Sequence, residues 1–350
     1  MKKSACGIGL LSLIIAGGVA AQGTSPSGDD QALVVTASNT THNQLMVYNT
    51  AGALLEQLPT GGAGGVSGNA GGIAQGHDRL AVVNFGSGNV SIFGKDRGHA
   101  ALRFEKLVPA LTNPVSVAFG NHHLYILTAS YIESHRIDRY GVEAAADGEA
   151  KLVIGDGSAA QVGTLRGQLV ISEKSNAIET VNLDGQGAVS GATMLVAHIP
   201  ANVNAPFGLA TRGNDAYVTI AHANEISLVR HDAVLAVTGS GTQSAPCWVT
   251  LDGPFLFSAN SPSKSVSRYA VYGEKIIQDA AIVTTFNGNP TDITYRNGLA
   301  AVIDANGSVS HVSIFDVDGD GNFTLKGLAT INSTATNGVA IVPEDRDSSW

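Results

Sequence analysis

Charge and sulfur are both scarce in this chain. Only 14% of its 350 residues are Asp, Glu, Lys or Arg, and it has two cysteines. Low charge with 44% hydrophobic residues argues against a disordered chain or a coiled coil, both of which depend on charged side chains. The 20 basic residues form no Lys/Arg cluster against 29 acidic ones, so nucleic acid and anionic membrane surfaces are not expected partners. No HExxH or comparable ligand spacing occurs among the ten histidines, and no GxSxG. The Gly-rich stretch from Gly61 to Gly72 lacks the Lys-Ser/Thr of a phosphate loop. No metal and no cofactor is therefore expected.

The one long apolar run is at the start. Lys2 and Lys3 precede a stretch from Ile8 to Ala20, and Val19-Ala20-Ala21 offers small residues for cleavage before Gln22. A secretory signal over residues 1–21 is expected, with a linker over 22–31 and a secreted or periplasmic mature protein that leaves the membrane on cleavage. A retained anchor is the alternative, although the run is short of the roughly 20 apolar residues of a spanning helix. Removal takes away Cys6 and leaves Cys247 as the only thiol, so an oxidising compartment finds no intramolecular disulfide to form. It also moves the formal charge from −9 to −11 by the loss of the two lysines.

Glycine is plentiful, at 42 residues, and it punctuates a repeat. Seven times a short apolar strand follows an Ala, Pro or Thr opening, turns at Gly or Asn, and leads toward a second apolar strand. The openings fall at Ala70, Pro114, Ala159, Pro206, Pro246, Pro290 and Thr336, with offsets of 44, 45, 47, 40, 44 and 46 residues. That period is the length of a four-stranded propeller blade. The seventh copy stops after its first strand, while Ala32 onward reads as strands two to four. The expectation is an all-β, seven-bladed β-propeller over residues 32–343. One blade is closed by pairing Gly338–Val342 with Ala32–Ala37, which removes open sheet edges. The polar tail 344–350 lies outside it.

Propeller geometry then sorts the side chains. The start of strand one and the end of strand two share the face where connections converge on the channel mouth, the usual place for a ligand. This register selects Asp292, Asp304, Glu173, Trp248, His222, Asn84 and Asn260 as binding candidates. Asp292 and Asp304 belong to one blade and could act as an acid–base pair or hold a cation. Their other reading is that each satisfies loop backbone, as Asn84 and Asn260 would. Glu173 is a third acid, or a solvated side chain beside Lys174. Trp248 offers a ring for stacking or for core packing. Cys247 is a nucleophile or, with no partner fixed by sequence, a buried inert thiol. His77, His122 and His123 fall in turns on the opposite face, leaving His222 on the candidate face. Asp316 to Asn322 resembles the front of a calcium loop, but Gly327 stands where its closing Glu belongs, so a polar hairpin turn is the competing reading.

The blades from Ala245 to Val271 and from Pro290 to Phe315 resemble the lactonase-like β-propeller family, which includes 6-phosphogluconate lactonases and carboxymuconate-lactonizing enzymes. The resemblance implies the same fold, and lactonase or cyclase activity on a sugar or aromatic lactone where the family's Arg and Glu are kept. The matching positions here are Phe207 and Ala221. Three functions are left by this reading. They are an exported binding or scaffold propeller recognising a small molecule or protein, a lactone enzyme relying on Asp292 and Asp304, and a quinoprotein whose cofactor ligands the sequence lacks.

Overall fold

Leu33, Val34 and Val35 show how the molecule is built. Leu33 and Val35 enter one apolar layer with Leu80, Phe93 and Ala340, while Val34 enters another with Ile303, Ile314 and Ile341. Both faces of the strand are buried, which is why the blades' inner strands read as near-continuous apolar runs rather than alternating ones. The computed structural model describes residues 32–66, 71–95, 102–196 and 205–343. The expected export segment, linker and C-terminal tail lie outside the described residues.

Seven antiparallel sheets form the seven blades, with strands ordered one to four from the inside outward. Their first strands begin at Ile73 (blade 1), Pro114 (blade 2), Ala159 (blade 3), Pro206 (blade 4), Pro246 (blade 5), Asn289 (blade 6) and Asn337 (blade 7). Blade 2 is irregular, because Gly141–Val142 and Gly148–Lys151 both pair with Tyr131–Asp138. Blade 7 is the closure. Asn337–Val342 pairs antiparallel with Leu33–Ala37, in the register Leu33↔Val342 through Thr36↔Val339, and Thr36 Oγ1 donates to the Gly338 carbonyl at 2.7 Å. No helix among the described residues is long and apolar enough to cross a membrane.

Apolar layers between neighbouring blades form the core, and each fully buried Val, Leu or Ile contributes roughly 1.5–3 kcal/mol. The outer strands differ. Leu54, Leu55, Phe104, Leu107, Leu325 and Leu328 are exposed there.

Candidate functional site

An extra residue near the start of the first strand shapes the candidate face. In blades 2, 3, 5 and 6 the register shifts within the first three residues, as in Pro290↔Asp304 followed by Asp292↔Ile303. Blades 4 and 7 have comparable irregularities. Because side chains alternate with a period of two, one unpaired residue puts the opening residue and the one two places on at opposite faces of the sheet.

Asp292 and Asp304 therefore share a blade but not a face. Asp292 turns toward blade 7, where its carboxylate accepts the N–H of Ile293 at 2.8 Å and of Val339 at 3.2 Å, and also the Gly71 N–H. Burial pushes this carboxyl up to about 7, against the pull of those three N–H groups. Gly71 (φ +66°) is tightly placed, since a Cβ there would lie 2.8 Å from Ser116 Oγ and 3.2 Å from Gln161. Ser116 donates to the Gly71 carbonyl, and Gln161 Oε1 accepts the Leu209 N–H at 2.7 Å. At these positions Asp292, Ser116 and Gln161 tie blade to blade. Asp304 turns the other way, accepting the Gly288 N–H at 3.0 Å and facing His311 Nδ1 at 3.3 Å.

Asn84 and Asn260 are fully buried and fully engaged. Asn84 Oδ1 accepts from Asn43 (2.9 Å) and Thr60 (2.7 Å), while its amide donates to Asn89 (2.8 Å) and Ser91 (2.6 Å). Asn260 donates to Ser265 and Ser267 and accepts from Ser258.

Glu173 is also fully buried, and it is not satisfied. Its Oε2 accepts from Ser158 at 3.2 Å, while Oε1 has no hydrogen-bond partner. Glu179 lies two residues along on the same face of blade 3, and its two oxygens accept the N–H groups of Val153 and Ile154, both at 2.9 Å. Burial first, and then the nearness and charge of the Glu179 carboxyl, push Glu173 up to about 8.

Trp248 lies in the apolar layer with Phe257, Ala259 and Ile293, buried but with no acceptor for its indole N–H. Its ring meets Phe207 edge-on at 5.5 Å, and the Lys174 ammonium lies 5.8 Å from the Phe207 ring centroid. Burial holds the Lys174 amine below its usual range. His222 is exposed on the short turn Ala221–Ala223 that follows strand two of blade 4. Thus Lys174 of blade 3, Phe207 of blade 4 and Trp248 of blade 5 come together, while the Glu173 side chain is buried inside blade 3, His222 is exposed on blade 4, and Asp292, Asp304, Asn84 and Asn260 are held in separate places. Sequence reasoning did not single out Lys174 or Phe207 as contacts, nor His311. The turn at Asn306-Gly307 folds strand three back so that His311 stands opposite Asp304, a pairing that turn placement could have given.

Burial pushes the Cys247 thiol up to about 12, which keeps it protonated and inert. In the polar turn of blade 6, Asp318 accepts from the Asp320 and Asn322 N–H groups and from the Asn322 amide. The Arg268 guanidinium sits against the Asp320 carbonyl and Asn322 Oδ1. No group of three His, Cys, Asp or Glu suited to a metal occurs among the described residues. On the opposite face His77 and His122 are turn residues, 5.6 Å apart between rings. His123 instead begins a strand and is buried, its ring between the Asn121 carbonyl and Asp147, both at 2.8 Å.

At the positions where the lactonase resemblance implies Arg and Glu, the chain has an aromatic ring and a methyl group. Phe207 packs on Trp248, and Ala221 is buried with its N–H on the Ala205 carbonyl at 2.8 Å. Neither side chain ionises or carries a proton. No protein-family model and no curated protein matches the sequence. Solved structures do match. A candidate 6-phosphogluconolactonase from Bacteroides uniformis superposes with a TM-score of 0.63 at 14% identity, over 89% of this chain and 100% of that one. The periplasmic gluconolactonase of Pseudomonas aeruginosa gives 0.62 at 14% identity, over 89% and 99%. A streptogramin B lyase gives 0.58 at 14% identity, over 78% and 86%. At such identity the likeness establishes a shared propeller fold, and that fold carries more than one chemistry.

Proposed function

We propose that this chain is an exported, secreted or periplasmic propeller that binds a small, flat organic anion on the face where Lys174, Phe207 and Trp248 meet. The observation that carries this reading is the Lys174 ammonium 5.8 Å from the Phe207 ring, itself packed edge-on against Trp248. A half-buried cation beside an aromatic face favours a planar ligand with negative charge, since burial strengthens the electrostatic attraction and stacking orients the ring. Export rests on the basic start, apolar run and small-residue cleavage site. The test is binding of a panel of aromatic and sugar carboxylates, read by calorimetry and by Trp248 fluorescence. Lys174→Met is expected to weaken the bound member about tenfold or more, the loss of one charge-assisted contact. Unchanged affinity in that variant counts against the site.

Lactone hydrolysis is the second reading, favoured by one feature. Asp304 faces His311 at 3.3 Å, and the histidine side chain is 18% exposed. A carboxylate-oriented histidine can serve as a general base. Turnover of simple lactones that disappears in His311→Ala decides for the enzyme, and no turnover in wild type decides for binding.

A further inference from the structure

The two buried glutamates of blade 3 do something the binding reading does not require. Glu179 is fully buried and accepts two successive main-chain N–H groups, from Val153 and Ile154, in the connection that carries the chain from blade 2 into blade 3. Glu173, equally buried, holds the far end of the same connection through Ser158, whose carbonyl in turn accepts the Lys174 N–H. Both carboxyl groups bear on one another inside the blade, and Glu173 Oε1 has no donor. Two carboxylates cannot both ionise there without unrelieved repulsion. One proton must be retained while the connection is closed.

We propose that Glu173 and Glu179 form a proton-dependent latch: with one proton shared between them the 152–158 connection is fastened to blade 3, and loss of that proton at alkaline pH releases it. The other charged groups facing the pair are few. Asp156, which accepts from the Ser158 N–H and from Ser175 Oγ, adds negative charge and favours keeping the proton. Lys174 stands beside Asp156 and projects toward Phe207. The latch does not depend on any ligand, so it stands or falls separately from the binding proposal, although release would move the backbone beside Lys174.

Other connections on this face supply a built-in control. Asn224 Oδ1 holds the Ala245 N–H at 2.7 Å at the entry to blade 5, and an amide does not titrate. Amide hydrogen exchange on the full chain, corrected for the intrinsic pH dependence of exchange, tests the proposal at about pH 7 and about pH 9.5. Wild type is expected to lose protection at Val153 and Ile154 by at least about tenfold, since each pH unit beyond the midpoint is worth a factor of ten, while Ala245 holds. Glu173→Gln keeps the shape and the donor of the protonated acid and should hold Val153 and Ile154 at both pH values. Should that variant fold poorly, Glu173→Met also removes the titrating carboxyl while keeping Glu179, and its protection ratio between the two pH values should likewise be flat. No loss in wild type, or an equal loss in the single-carboxyl variants, overturns the latch.

Discussion

Blades 1 and 3 place different chemistry in one structural slot. At the end of strand two and one step up strand three, blade 1 has Asn84 and Ser91, joined at 2.6 Å, and blade 3 has Glu173 and Glu179. In blade 1 every group finds a partner: Asn84 makes four side-chain bonds, and Ser91 passes its hydrogen to the Thr60 carbonyl. Blade 5 repeats the neutral solution with Asn260 and Ser267, the latter donating to the Ala281 carbonyl. Blade 3 does the same bracing with two acids, leaves Glu173 Oε1 unpaired, and needs a proton to do it. In these three blades the slot is a brace, and of the three only the acid pair makes the brace respond to pH.

Removing the acceptor that blade 3 relies on should have the largest effect. Glu179→Ala takes away the acceptor of two main-chain N–H groups at once, and about 3 kcal/mol of stability should be lost at neutral pH, measured by urea unfolding. Asn84→Ala in blade 1 should cost about 2 kcal/mol, since each bond it loses joins two neutral side chains. If Asn84→Ala proves the costlier, the neutral network is the stronger brace and the ranking is reversed.

The pH dependence sharpens the contrast. The folded chain keeps a proton on Glu173 up to about 8 and on Asp292 up to about 7, whereas the unfolded chain releases them near 4.5 and 3.8. Between those limits the native state binds more protons than the unfolded state. Stability should therefore fall as pH rises through the window, and the contribution is fully present only below the unfolded values. Glu173→Gln removes one source of this slope, and the double change Glu173→Asn with Glu179→Ser, which copies blade 1, should remove it as well. Thermal unfolding midpoints at about pH 5 and about pH 8 would show it. A slope unchanged in both variants would mean that blade 3 holds no such proton.

Asp292→Asn is the mildest of these changes and separates bracing from binding. An amide has one acceptor oxygen for three N–H groups, so stability should drop by about 1–3 kcal/mol. Affinity for an anion at Lys174 should stay within about twofold, since Asp292 faces blade 7 and the two sites share no partner.

The architecture was legible in the sequence because the repeat of 40–47 residues leaves the copy at Thr336 with one strand and the stretch from Ala32 with three, which complete one blade. Thr36 and Gly338, 302 residues apart, are bonded as that closure requires. The candidate site was legible only as a set of strand ends. Residue counting places Pro290 and Asp304 opposite one another, but it does not see that Thr291 is an extra residue, which sends Asp292 to the other face. Nor does spacing reveal that a propeller buries both faces of its inner strands, so that Asn84, Glu173 and Asn260 lie inside rather than on a rim. Lys174 and Phe207 come together across two blades through packing that neither local sequence announces.

Glu173 should stay protonated at neutral pH inside blade 3. The direct measurement is a carbon-13 NMR titration of the glutamate side-chain carboxyls, with Glu173 assigned by its absence in Glu173→Gln. A Glu173 midpoint near 8 is the predicted result. A midpoint at the ordinary glutamate value near 4.5 would contradict the account, because it would mean that burial beside Glu179 leaves the Glu173 carboxyl unperturbed.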